Sequence, residues 1–157
     1  MRRSCGVAIV VVPALALPAI AAAPPVPLRV QQAITKRVPP PFRYIPTRVP
    51  TGYEYRKWHG AKNGLDIYFG QKLDLGFHVG KYPPYSAQRC SGAGSARTYP
   101  FGSIRVYWGA TYVDQDYWRC VRNGSVTISA SYAHTGYGPS SRRRQIAAMV
   151  ASAKPLG

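Results

Sequence analysis

Apolar and polar residues alternate most cleanly from Leu73 to Gly80. Leu73, Leu75, Phe77 and Val79 interleave with Asp74, Gly76, His78 and Gly80. A period of two buries one face of a strand and leaves the other polar. The same pattern recurs on both sides. Tyr53 to His59 is aromatic-rich, Leu65 to Phe69 follows, and Ala61-Lys62-Asn63-Gly64 between them reads as a turn whose Asn63-Gly64 supplies positive φ. Gly70-Gln71 reads as a second tight turn, so these three strands form an antiparallel meander. Tyr82 to Gly102, with Pro83, Pro84, Gly92, Gly94 and Pro100, reads as one long loop. Three more strands then follow. Ser103 to Trp108 sets Ile104, Val106 and Trp108 on one face. Tyr112 to Val121 is the longest, and in Val126 to Ser131 the residues Val126, Ile128 and Ala130 alternate with Thr127, Ser129 and Ser131. Arg122-Asn123-Gly124-Ser125 is the clearest hairpin signal. The Asn123 triplet also matches a glycosylation acceptor, but the hairpin explains it.

Two segments change the period to that of a helix. Leu28 to Val38 places Val30, Ile34 and Val38 on one stripe behind Pro27, and Pro39-Pro40-Pro41 stops it. At the other end Ser140 or Ser141 is placed to cap a helix running to about Ala153, with Ile146, Met149, Val150 and Ala153 as its apolar stripe and Pro155 beyond it. The expected class is α+β. One antiparallel sheet of about six strands packs against the C-terminal helix, preceded by a short N-terminal helix and a proline-rich tether. The helix is expected over Leu73, Leu75, Phe77, Val79, Ile104 and Val106.

The N-terminus adds an address. Arg2 and Arg3 precede a run from Gly6 to Ala23 that is apolar except for Pro13 and Pro18. This is the layout of an export signal, and Ala19 and Ala21 fit a cut after Ala21 or one residue later. An uncleaved membrane anchor is the competing reading, for which the run is slightly short. The expected division is a signal peptide over 1–21, a proline-rich lead or tether over 22–42, and one domain over 43–157. The protein is expected outside the cytoplasm, secreted or held at the envelope.

Export changes the meaning of charge and cysteine. The chain carries 21 Lys and Arg against five acids, Glu54, Asp66, Asp74, Asp114 and Asp116, for a net charge of +16. Such an excess favours polyanions. Outside the cytoplasm these are anionic envelope polymers and lipid surfaces, and nucleic acid is not expected. Of three cysteines, Cys90 and Cys120 stay with the mature chain and are expected to pair. The closed loop of about 30 residues would contribute about 3.5 kcal/mol through the unfolded state.

Candidate chemistry is sparse. Arg142-Arg143-Arg144 falls in the first turn of the C-terminal helix, where the macrodipole disfavours cations. A bound anion would account for them, and helix N-termini attract phosphate or carboxylate. A later helix start, leaving the arginines in a loop, is the bland alternative. No Gly-x-Ser-x-Gly elbow occurs, and Ser91 and Ser95 lie in a plain glycine-rich loop. His78, on the polar face of its strand, or His134 could form a hydrolase triad with Asp114 or Asp116. His59, His78 and His134 stand singly in the sequence, so no metal and no cofactor are expected.

Tyr44-Ile45-Pro46 and Val49-Pro50-Thr51-Gly52-Tyr53 open the sheet, an aromatic strand ends in Trp108, and Gln145 to Ala153 closes as a helix. In this order of parts the chain resembles small exported bacterial domains of unknown function, including extracytoplasmic domains attached to anti-sigma regulators. The resemblance spans about Arg43 to Leu156 and implies a non-enzymatic sensing or binding module. It transfers no functional residue, and no cytoplasmic domain is expected before the apolar run. The leading expectation is therefore an exported, non-catalytic domain binding anionic envelope surfaces through Arg142, Arg143 and Arg144. The alternative is a small secreted hydrolase with a lid loop at 82–102. Mass spectrometry of the protein recovered from cells should find an N-terminus at Ala22 or Ala23 and a Cys90–Cys120 cross-linked peptide. An intact Met1 with reduced thiols would contradict both expectations.

Overall fold

The computed structural model describes residues 23–72, 74–81, 97–110, 114–133 and 139–157. The expected signal segment, Leu73, most of the long loop and His134 lie outside them. The chain enters through helix α1 (Leu28–Arg37) and a 3-10 turn (Pro40–Phe42), then strand β1 (Tyr44–Ile45). Strands β2 (Tyr55–Ala61), β3 (Gly64–Phe69) and β4 (Leu75–Gly80) follow. Next come β5 (Arg97–Phe101), β6 (Ile104–Ala110), β7 (Asp114–Val121) and β8 (Val126–Ala133), then helix α2 (Ser140–Ala151) and β9 (Lys154–Pro155).

The class is α+β. The main sheet has seven strands in the order β2-β3-β4-β8-β7-β6-β5, every pair antiparallel. Two meanders, β2-β3-β4 and β5 to β8, thus meet where β4 pairs with β8. The strand beyond the expected six is β5, which arises inside the stretch read as loop. Pro100 hid it, since proline cannot donate to a ladder and is tolerated at a sheet edge. β5 is that edge. A second, two-stranded sheet pairs β1 with β9 and ties the entry of the chain to its exit.

Local chemistry departs from expectation at two places. Pro139, not a serine, occupies the N-cap of α2, and no side chain caps it, so Ser140 is already helical. At the β2–β3 reversal neither Asn63 nor Gly64 has positive φ. Gly64 serves close approach instead, because a Cβ there would lie 2.6 Å from the Val79 carbonyl oxygen. The β7–β8 hairpin does use the left-handed region, at Arg122, Asn123 and Gly124.

One core runs along a single face of the sheet. Leu65, Ile67 and Phe69 of β3, Leu75, Phe77 and Val79 of β4, and Ile128 and Ala130 of β8 are almost wholly buried. α2 covers β5 to β8 rather than β4, burying Ile146, Ala147, Met149 and Val150. Each of its large apolar residues contributes about 1.5–3 kcal/mol by burial. The stretch set apart in the sequence as a lead is built into the same core: Val26, Val30, Ile34, Val38 and Phe42 are buried, and α1 packs beside β2. Arg119 fastens β7 to the end of α2, donating from Nη2 to the Ala153 carbonyl at 2.6 Å, and its burial lowers its pKa. Among the described residues no helix is long and apolar enough to cross a membrane.

Replacing Ile34, which has no exposed surface, by alanine should lower the unfolding free energy by about 2–5 kcal/mol. Urea titration of the variant checks this. An unchanged midpoint would mean that α1 is not part of the cooperative core.

Candidate active site on the far face of the sheet

The period of two that buries Ile67 and Phe77 turns Asp66 and His78 to the face away from the helices. The pairing Asp66↔His78 places them side by side on β3 and β4. β8 then brings its own polar positions alongside, with His78↔Ser129 and Gly76↔Ser131. From these three strands a continuous chain of hydrogen bonds results. His78 Nδ1 lies 2.8 Å from Asp66 Oδ1, and His78 Nε2 lies 2.8 Å from Ser131 Oγ. An ionised carboxylate only accepts, so Nδ1 carries the ring hydrogen in the neutral imidazole. Nε2 then accepts the hydroxyl proton of Ser131. The order carboxylate, imidazole, hydroxyl is that of a nucleophile with a positioned base and an orienting acid.

The ring has room because its neighbour has no side chain. A Cβ on Gly76 would come within 2.5 Å of His78 Nε2. Tyr68 meets the imidazole edge-on, with ring centroids 6.0 Å apart, and the Lys57 ammonium stands 5.2 Å from the Tyr68 ring centre. Burial, and secondarily the charge of Asp66, push the Tyr68 hydroxyl above its usual pKa. Beside His78 a groove of about 260 Å³ opens over Gly64 and Gly80, bordered by Asn63, Thr127 and Ser129. His78 and Asp66 keep 27% and 38% of their side-chain surface exposed. A small solute therefore has access to the base.

The structure pairs His78 with Asp66 and not with Asp114 or Asp116. Asp116 stands across from Ser131 on β7. His59 is opposite Asp66 on β2, and exposed. Asp66 and Ser131 carry no sequence signal beyond the alternation that assigns them to the polar face. Among the described residues no three His, Cys, Asp or Glu side chains come together as a metal cluster would require.

The arginine run is helical and fans out. Arg142 donates from Nη1 to the Thr51 carbonyl at 2.9 Å and lies 5.2 Å from the Tyr53 ring centre. Arg143 stands 5.2 Å from the Trp108 ring centre, with Arg97 at 5.5 Å from the same ring. Arg144 is exposed. Two of the three thus hold the protein's own aromatic rings and carbonyls, contacts worth about 0.5–2 kcal/mol each, and the three guanidinium groups do not converge. Cys120 lies on the far face of β7 and is disulfide-bonded. Cys90 lies outside the described residues.

No protein-family model, curated protein or solved structure matches the chain. The site stands on its own geometry.

Replacing Gly76 by alanine should push the imidazole away from Ser131 while leaving the fold in place, because the atom in the way is the end of a side chain. Nitrogen NMR of His78 should show Nε2 losing its hydrogen-bonded shift, with thermal unfolding changed by no more than about 1–3 kcal/mol. An unaltered Nε2 signal would mean the ring does not rest where the structure puts it.

Proposed function

We propose that the protein is a small exported hydrolase that uses Ser131 as nucleophile, His78 as general base and Asp66 as the orienting acid. One observation carries this reading: the unbroken Asp66–His78–Ser131 chain, with both bonds at 2.8 Å, whose Asp66 and His78 also line an accessible groove. An isolated surface histidine needs neither partner. This one has both, in the order that acyl transfer requires.

The steps follow from the donors and acceptors. Ser131 Oγ attacks the substrate carbonyl carbon as its proton passes to His78 Nε2. Asp66 stabilises the imidazolium through Nδ1–H. His78 returns the proton to the leaving group, which departs and leaves an acyl ester on Ser131. Water then attacks that ester, giving its proton to His78, and Ser131 recovers a proton as the acid leaves. The backbone amides around Ser131 belong to sheet ladders on both sides. Oxyanion stabilisation therefore falls to side chains, and Ser129 is the next hydroxyl along the same face of β8. Removing a base or nucleophile from such a unit costs several orders of magnitude.

The expectation of a non-catalytic envelope-binding domain keeps the net charge as its support. The Arg142–Arg144 cluster no longer adds to it, since two of these guanidinium groups face the protein itself.

Purified protein treated with a fluorophosphonate should acquire one adduct, located by peptide mass spectrometry on Ser131. Ser131→Ala and His78→Ala should abolish labelling and reduce hydrolysis of an activated ester by about 10³-fold or more, while their melting transitions stay cooperative. Failure of the well-folded wild type to label or turn over would remove the hydrolase reading. Ester turnover retained in Ser131→Ala would remove Ser131 from it.

A further inference from the structure

The outward side of α1 has no role in the core or in the site. Its inward stripe, Val30 and Ile34, is buried, while Leu28, Arg29, Gln32, Lys36 and Arg37 face solvent. Leu28 is 66% exposed, the one large apolar side chain so exposed among the described residues. From residue 24 to residue 53 the chain has Arg29, Lys36, Arg37, Arg43 and Arg48 and no acid. Between α1 and the C-terminus lies a groove of about 370 Å³ bordered by Gln31, Gln32, Thr35, Lys36 and Leu156, and Lys154 is exposed nearby on β9. An apolar residue at the lip of a basic, acid-free helix face, beside a recess that Leu28, Leu156, Gln32 and Lys36 share, matches a lipid surface with anionic headgroups.

We propose that this α1 face docks the protein on an anionic lipid bilayer. Leu28 enters the headgroup boundary, Arg29, Lys36 and Arg37 meet lipid phosphates, and the groove receives a headgroup. Charge complementarity argues for this occupant, as does the place of the helix in the chain. The apolar run ending at Ala23 stops five residues before Leu28. Both helices lie on one side of the sheet, so a protein seated on α1 turns the Asp66–His78–Ser131 face away from the bilayer. This proposal does not depend on catalysis at that face.

The test is co-sedimentation of the protein, as purified from expressing cells, with phosphatidylcholine vesicles with or without phosphatidylglycerol. Binding should require phosphatidylglycerol and weaken in high salt. The triple variant Arg29→Ala, Lys36→Ala, Arg37→Ala should bind roughly a hundredfold more weakly with an unchanged melting transition. A control that removes the same charge elsewhere, Lys62→Ala, Arg105→Ala, Arg122→Ala, should bind like the wild type. Leu28→Ala should lose the fraction of binding that survives salt. The proposal is overturned by equal loss in the two triple variants, by absence of binding to anionic vesicles, or by binding to a soluble anionic polymer but not to vesicles.

Discussion

The antiparallel pairing of β4 with β8 joins everything else. Each half of the domain is a local meander: β2 to β4 on one side, β5 to β8 with α2 on the other. Neither half closes a core alone. The ladder from Leu75↔Tyr132 to Gly80↔Thr127 aligns Phe77 with Ala130 and Val79 with Ile128, so the two apolar faces become one. It links residues about 50 apart, a closure whose entropy must be offset by the burial it creates. The same ladder brings Ser129 and Ser131 to His78. The core and the candidate site are two faces of one pairing.

The two faces of that sheet differ in how they fill space. On the helix side, large side chains interdigitate until Ile67, Phe69, Phe77 and Tyr117 have no exposed surface. Tyr117 remains satisfied there because its hydroxyl donates to Gln115 Oε1 at 2.7 Å, and burial raises its pKa. On the far side, Gly64, Gly76 and Gly80 supply no side chain at all. The space they leave is taken by the His78 ring on one side and by the groove on the other. Part of the basic charge is also structural. Arg97 and Arg143 lie against Trp108, and Arg142 against Tyr53. These contacts give Arg142 and Arg143 partners within the protein, even though the macrodipole opposes cations there.

Strand parity was legible in the sequence. The alternation through Leu75, Phe77 and Val79, and through Val126, Ile128 and Ala130, assigned faces correctly and put His78 on the polar one. The stripe Val30, Ile34 and Val38 likewise identified the buried side of α1. Strand order was not legible. Nothing local in β4 says that its neighbour is β8 rather than β5, the next strand in the chain. The alternation alone therefore points to Asp114 and Asp116 on β7 as acids for His78, whereas the structure puts Asp66 there, one hairpin away. For the same reason Ser131 stands in the sequence as an ordinary polar position of its strand. β5 was missed because Pro100 breaks the pattern of an interior strand, and an edge strand does not need that pattern. The proline-rich lead looked like a tether by composition, yet its apolar residues carried the helical period that buries them.

That last point bears on how the domain meets a membrane. Val26 is wholly buried, and only Pro24 and Pro25 separate it from Ala23, where the apolar run ends. Removal of the run at Ala21 or Ala22 would leave every described core residue in place. Retention of the run would put the core on a two-proline spacer of roughly 3 Å per residue, too short to let the domain swing free. In the first case α1 would have to hold the surface through its own Leu28 and basic residues. In the second it would be pressed against that surface whatever its affinity. A basic helix face next to the apolar run suits both cases. An acidic one would be repelled from an anionic leaflet in either, and the five acids of this chain all lie beyond residue 53.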